Sequence, residues 1–586
     1  MASTTALFTG LGGLNVNSRR LEVIGNNISN VNTTAFKSNR MLFSSAFNRT
    51  VSLGTGPTAN SGGTNPGQVG LGVTMAGTQR NFNNGAISPT GINTDLAIEG
   101  DGFFVVERNE EQFYTRAGSF QLNSNNDLVS LSGDRVQGYV IDDEFNIIDG
   151  SLENLNIPLG TLTIAEATSN VTFNGNLNAD GEVATTGSLT RFAALTSGGG
   201  TAATAATALT ALDGPLFAAD DVITINGAER GGKVVPDASF TVTATSTVAD
   251  FANFMMDALG IVPDGGFDPT HPSFNTAEDG GFNVNASGQL ELLGNRGELN
   301  DIDLEASDFL VVDSSGTPKS NPFIPTKVNA ADGESVRTTF VTYDSLGTEI
   351  RIDLTMTLAH RDDAGTHWRT FLHSADDTDL ALHLETGDRA ATVAPFATEF
   401  APLVSFDNYG QISGVPQLNI ELDRLNTGAL DPLQIALQFD SGSDAVSSLS
   451  DTGGNSTIAA VYQDGSPIGT LSSFSVGEDG IITGGFTNGL TKSIGQVAVA
   501  KFTNSEGLVD AGNNLFRMGP NSGTALITEP LNFGTGRVIG GALEQANVDL
   551  SQEFTNMILT STGYSASSRV INTTNELIQQ LLVLGR

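Results

Sequence analysis

Four of the chain's five histidines, His360, His367, His373 and His383, crowd one short stretch beside Asp362, Asp363, Asp376, Asp377 and Asp379. Imidazole and carboxylate side chains together could ligate a metal. Such a site wants a spacing such as two histidines four apart on one helix with an acid nearby, and no pair here has it. The stretch GTGRVIGG, Gly534 to Gly541, has the glycine content of a phosphate loop but neither the Walker Lys-Ser/Thr nor the dinucleotide spacing. It reads most simply as the turn before the last helix. There is no G-x-S-x-G nucleophile elbow, and the absence of cysteine removes a thiol nucleophile, a disulfide framework and a thiolate metal site together. No catalytic residue, metal ligand or cofactor is therefore assigned.

The order in the chain lies in its elements. Leu7, Leu14, Leu21 and Ile28 recur every seven residues near the start, with Leu11, Ile24 and Val31 widening the stripe. Leu550, Met557, Tyr564, Ile571 and Ile578 do the same at the other end, flanked by Phe554, Leu581 and Leu582. A seven-residue period keeps one apolar seam facing a partner helix along its length, so these two segments are predicted to associate lengthwise. Such a chain must go out and come back. Asp549 reads as the N-cap of the C-terminal helix, with Gln552 at capping-box spacing. Asn15, Asn17, Asn26, Asn27, Asn30 and Asn32 are poor helix formers, which makes the first helix marginal unless it is packed.

Composition bounds the function. A 586-residue chain is several domains long, and 39% hydrophobic content supports real cores without a segment long and apolar enough to span a membrane. The net charge of −38 argues against nucleic acid, whose phosphates demand a basic footprint. The first 49 residues run the other way, with Arg19, Arg20, Lys37, Arg40 and Arg49 against Glu22 alone. The acidity thus belongs to the middle, where it keeps exposed surface hydrated. The opening residues lack the basic and apolar regions of a secretory signal, so export would need another route.

Between the helices the sequence is β-rich. VSLGTGPTANSGGTNPGQVGLG, Val51 to Gly72, reads as a linker or an extended arm. Asp101-Gly102 reads as a turn between strands Leu96 to Ile98 and Phe103 to Val106, and Ser345 to Gly347 as the turn of a second hairpin. IGQVAVAKFTN reads as strand. From Arg191 to Pro325 the composition shifts. TSGGGTAATAATALTAL reads as a loose connector, DVITINGAERG as strand and turn, and FNVNASGQLELLG as a hairpin. Thr247 caps a predicted amphipathic helix whose Val248, Phe251, Phe254, Met255 and Leu259 share a face. This is predicted to be a small α+β unit inserted into a larger β domain.

Four stretches, GNNISNVNTTAFKSNR (Gly25 to Arg40), TDLAIEGDGFFVV (Thr94 to Val106), YTRAGSFQLNSNNDLV (Tyr114 to Val129) and GALEQANVDLSQEFTNMI (Gly541 to Ile558), resemble the shared motifs of the bacterial flagellar rod and hook axial-protein family. VTYDSLGTEI and IGQVAVAKFTNSEGLVDAGNNLF are similar to segments of its hook members. The resemblance is strongest over roughly the first 150 and last 130 residues and looser over 335–440. On the family motif lie Asn26, Asn27, Asn30, Asn32, Phe36, Lys37, Gly100, Gly102, Phe103, Phe104, Asn547 and Asp549. Ala35 departs from it, since the family usually has glycine there; a backbone turn needing glycine's freedom is then in question.

What the resemblance implies is a multidomain fold. A terminal α-helical coiled-coil pair (1–34 with 546–586) leads through a Gly/Ser/Thr-rich arm (35–72) to β-rich domains (73–150 with 460–545; 151–190 with 326–459) and the inserted α+β unit (191–325). It also implies a structural subunit polymerising into a bent tube that carries torque from motor rod to filament. Its implied partners are further copies of itself, the distal rod protein, the hook cap, the hook-filament junction protein and the flagellar export apparatus, and its place is extracellular. Two other readings stand beside it: a distal rod subunit, usually much shorter, and a secreted acidic β-rich adhesin, hydrolase or calcium-binding protein, which would show repeated Asp/Gly loops or paired carboxylates.

Overall fold

A computed structural model describes residues 2–584 apart from 149, 215–216, 263–279, 378–384, 387–402, 415, 441, 443–444 and 451–453. His383 and Asp379 lie outside the described residues. The chain forms two compact units, one from Met1–Thr163 with Thr470–Arg586 and one from Ile164–Gly469.

The first unit is built where the chain's two ends meet. Helix α1 spans Ala2–Ser29 and helix α3 spans Leu550–Leu584. Asp549 does cap α3: its carboxylate accepts from the Ser551 N–H at 2.9 Å and the Gln552 N–H at 3.1 Å. The glycine-rich stretch after α1 is an extended arm rather than a linker. Asn39–Ser45 pairs with Val73–Arg80 and Asn48–Ser52 with Gly67–Gly70, and the bridges Thr55 to Thr64 and Thr58 to Ser61 carry the ribbon to its tip. No apolar alternation betrays it, because neither ribbon face near the tip is covered; backbone hydrogen bonds hold it, with the Thr55 and Thr64 hydroxyls bonded across it at 3.1 Å.

Outgoing and returning halves share one sheet. Its strands run in the order Ile481–Phe486, Thr491–Val497, Arg135–Tyr139, Phe103–Arg108, Glu111–Thr115, Leu515–Arg517 and Val509–Gly512. The unbroken apolar run Phe103-Phe104-Val105-Val106 is buried throughout, as a strand covered on both faces must be. Two expectations need correction. Leu96–Glu99 and Phe103–Arg108 do not form a hairpin, since the first pairs with Arg537–Gly540 and the second with Glu111–Thr115. Gly102, at φ +137, re-aims the chain between them, and a β-carbon there would meet Val499 at 2.4 Å. The stretch GTGRVIGG is consequently more than a turn, because half of it is that pairing strand.

The second unit holds a four-stranded antiparallel meander, Ser335–Tyr343, Glu349–Asp362, Gly365–His373 and Leu403–Phe406, with the predicted turn at Gly347. A mixed sheet containing Gln417–Leu422, Leu433–Gln438, Asn170–Leu177 and Thr457–Gln463 packs with it around Phe173, Phe340, Trp368 and Leu437. Within 191–325, helix α2 (Val248–Leu259) has the predicted cap, with Thr247 and Asp250 completing a reciprocal box. Its predicted face is fully buried, against Phe309, Phe323 and Leu292 among others. The alanine-rich connector is not loose. It makes a short hairpin, Thr196–Ser197 with Thr201–Ala202, and sinks Ala203, Leu209 and Leu212 into that core.

Candidate assembly surface

Helices α1 and α3 run antiparallel, and what lies between them is small and polar as well as apolar. A β-carbon on Gly10 would sit 2.8 Å from Ile571, one on Gly13 2.7 Å from the Ser567 hydroxyl, and one on Gly563 3.2 Å from the Asn17 amide. Backbones this close leave little room for large side chains. Thr560 and Thr574 are buried here with their hydroxyls satisfied by the carbonyls four residues back, at 2.6 Å each.

The seven-residue stripes are therefore split. Ile24, with Val16, is buried; Leu7, Leu14, Leu21, Ile28 and Val31 on the N-terminal side and Met557, Ile571 and Ile578 on the C-terminal side are half-buried. Leu11, Leu550, Phe554, Tyr564, Leu581 and Leu582 remain exposed. Phe8 and Ile558, each 68% exposed, extend the uncovered surface. The lengthwise association predicted from the stripes is present, but glycine sets its spacing and the bulkiest stripe residues stand outside it. An apolar surface of this kind marks an interaction site.

Where the helices join the β unit, the family-motif residues converge. Asn27 is buried: its amide accepts from the Asn39 N–H at 3.0 Å, donates to the Asn39 carbonyl at 2.8 Å and to Glu553 at 3.3 Å. Asn547 accepts from the Ser38 N–H at 2.8 Å and donates to the carbonyls of Asn81 and Asn83, while its own N–H donates to the Phe36 carbonyl at 3.2 Å. Asn26 and Asn30 hydrogen-bond each other across one helical turn, and Asn32 is exposed.

Beneath them lies a sealed ionic clasp. Lys37 Nζ donates to Glu544 Oε1 at 2.6 Å and to the Asn83 carbonyl at 2.9 Å, and the Gly85 N–H donates to the same carboxylate oxygen at 2.8 Å. Arg116 approaches the other oxygen at 3.6 Å, donates to the Gly100 carbonyl at 2.7 Å and lies over the Phe103 ring. Burial pushes the Lys37 ammonium below its ordinary range, with Glu544 pulling it back up and Arg116 adding repulsion. Lys37 and Glu544 are both closed off from solvent, so the group cannot meet a substrate. It ties together the exit of α1, the outgoing strands and the return to α3. Phe104 packs edge-on against Phe120.

Sequence reasoning named Lys37 but missed Glu544, Arg116 and Glu553. The available signal was a lone charge inside an otherwise uncharged motif, Arg116 in FYTRAGSF and Glu544 in GALEQ. Ala35 does adopt the left-handed conformation, φ +55, and its N–H donates to the Glu544 carbonyl at 2.8 Å. The turn that glycine would make without strain is made here by alanine at a steric cost.

The histidine stretch belongs to the second unit. His360 and His367 stack across paired strands with Asp362 at 3.9 and 3.4 Å, and His373 is buried. Among the described residues no group of three or more histidines and acids is placed to hold a metal ion, and no helix is long and apolar enough to cross a membrane.

Family comparisons match the same regions. Residues 7–37 match a family of flagella basal body rod proteins, 97–185 the flagellar hook protein FlgE/F/G D1 domain, 312–466 the flagellar basal body protein FlaE D2 domain, and 539–584 the flagellar basal body rod FlgEFG protein C-terminal family. Over the full length the chain is 27% identical to the flagellar hook protein FlgE of Treponema pallidum, with 99% of each chain covered. It is 26% identical to that of Borreliella burgdorferi, again with 99% of each chain covered, and 24% identical to that of Salmonella typhimurium over 98% of each. Motifs matched in order from α1 to α3, on a chain whose ends pack together, leave one conclusion: the chain belongs to the bacterial flagellar hook protein family.

Proposed function

We propose that this chain is the repeating subunit of the flagellar hook, and that its terminal helices build the wall of a helical polymer. It is a structural protein rather than an enzyme. The observation that carries the reading is the uncovered apolar surface of the α1–α3 pair, with Phe8, Leu11, Phe554, Ile558, Leu581 and Leu582 all exposed. Covering it with the same surface of further copies removes apolar area from water, at about 25 cal/mol per Å². One chain cannot do this alone; many can. The Asn-rich α1 and the glycine-spaced seam leave the pair weakly held within a single chain, so the ends gain most of their stability on assembly.

This reading extends to the chain's surroundings. Kinship supports contacts with the distal rod protein and the hook-filament junction protein at the two ends of the tube, growth under a hook cap, and delivery through the flagellar export apparatus. Concentrated full-length protein examined by electron microscopy tests the core of it. Short curved tubes are expected; a protein that stays monomeric at every concentration overturns it. Amide exchange sharpens it further, since residues 7–31 should exchange quickly in the monomer and slowly in the tube.

A further inference from the structure

One cleft in the unit 164–469 gathers positive charge in an otherwise acidic chain. It measures about 400 Å³, and Arg230, Lys233, Arg337 and Arg351 line it. Two carboxylates, Asp353 and Asp376, the ring of His373, the Thr339 hydroxyl and an apolar patch of Val234, Val235, Pro236 and Ala375 complete the lining.

The charges are unevenly matched. Buried Arg230 donates from Nη1 to the Gly260 carbonyl at 2.9 Å and from Nη2 to the Thr355 hydroxyl at 3.2 Å, while its Nε has no hydrogen-bond partner. Arg337 also spends its nitrogens on neutral acceptors: the Thr355 hydroxyl at 3.4 Å, the Arg230 carbonyl at 2.9 Å and the Leu299 carbonyl. Asp353 already accepts from Lys233 at 3.2 Å and from Thr339. Arg351 pairs with Glu349 at 3.0 Å, and Asp376 accepts the Arg351 N–H at 3.0 Å. His373 donates from Nε2 to the Asp257 carbonyl at 3.2 Å and is neutral, so it supplies no charge. Two arginines and a lysine thus share Asp353. Burial, and then the charge of Arg337, push the Arg230 guanidinium down to about 9. An anion in the cleft would relieve that repulsion.

We propose that this cleft is an oxyanion site, in which one carboxylate or phosphate group seats over the Arg230–Arg337 pair and is held at the rim by Lys233 and Arg351. Guanidinium and ammonium donors around a single oxyanion make short, charge-assisted hydrogen bonds. Two sources carry this chemistry. One is free phosphate; the other is an Asp or Glu side chain of a second copy, which a chain with 65 acidic against 27 basic residues offers in quantity.

The test titrates full-length monomer with inorganic phosphate at constant ionic strength and follows thermal unfolding. A saturable rise in the unfolding temperature is expected. Lys233→Gln with Arg351→Gln, both at exposed positions, should keep the fold by circular dichroism and weaken binding about tenfold or more, the scale of one lost charge-assisted bond. Arg337→Gln should abolish it. A rise that does not saturate, or one that survives the rim variant unchanged, overturns the proposal. Assembled protein then separates the sources, both of which uphold the site: a tube loosened by phosphate to the level of the rim variant identifies a neighbour's carboxylate, and an indifferent tube identifies the free ion.

Discussion

Helix α2 and the α1–α3 pair use opposite designs. The 12 residues of α2 carry a reciprocal capping box, a left-handed Gly260 at the C-terminus and an apolar face buried inside its own unit. Helix α3 is 35 residues long, yet Phe554, Ile558, Leu559 and Leu577 stand in water. The short helix is finished within the chain, and the long one is left for other copies to complete. Length and apolar content do not decide where a helix finds its stability; the location of its covering surface does.

Paired truncations are the strongest way to break that contrast. Phe251→Ala empties a closed core and should cost about 3–5 kcal/mol in the monomer, measured by urea unfolding. Phe554→Ala should leave monomer unfolding within about 0.5 kcal/mol and instead raise the concentration at which tubes form. Equal monomer losses would erase the distinction.

The clasp sets where the unfinished helices are anchored. Glu544→Ala leaves Lys37 and Arg116 buried without their carboxylate and should cost about 3–4 kcal/mol in the first unit. Unfolding of that unit, followed by amide exchange, reads it. Glu544→Gln, which keeps the Gly85 contact but not the charge, should fall between the two.

Acid should act on the α2 side. His373 donates to the Asp257 carbonyl in the last turn of α2, and burial, then the nearby Arg230 charge, push the ring from 6.5 down to about 4. The unfolded chain takes up a proton below pH 6.5 that the folded chain refuses until about 4, so stability falls as pH drops through that window, by about 3 kcal/mol at its lower end. Above pH 6.5 the group contributes no slope. Unfolding curves of His373→Gln should be flatter than wild type between those limits, and an unchanged slope would remove His373 from the account.

Caps give a smaller effect. Asp549→Ala removes the acceptor of two N–H groups and should cost about 1 kcal/mol, visible in tube formation rather than in monomer unfolding. Thr247→Ala should cost a similar amount in the monomer. Smallest is Ala35→Gly, which relieves a left-handed alanine worth about 1–2 kcal/mol and gives part of that back as backbone entropy, for a net gain of roughly 0.5 kcal/mol.

Local patterns were legible wherever a single segment carried its own reason. Thr247 with its buried face, the Asp549 cap, the Gly347 turn and the FNVNASGQLELLG hairpin, whose Gly281–Val284 pairs antiparallel with Gln289–Arg296, follow from spacing and turn chemistry alone. The ends could be read as partners because a period of seven residues has few other uses. The clasp was half visible: Lys37 lay in a motif, but its partner Glu544 sits 507 residues away in sequence, and no local pattern joins them. The alanine-rich stretch 196–212 misled, because a low-complexity sequence does not announce that its few leucines find a core.

The sequence by itself determined that the chain starts and ends in helices meant for one another, that β structure fills the middle, and that no catalytic constellation is spelled out. Only the tertiary structure decided how the ends meet, since glycines at positions 10, 13 and 563 bring the backbones close and turn the largest stripe residues outward. It alone showed that the glycine-rich arm is a ribbon, and that Arg230 and Arg337 share a cleft short of negative charge. The physical reason is common to all three: close approach, strand pairing and charge balance are relations between residues far apart in the chain, and a one-dimensional pattern records only what neighbours do.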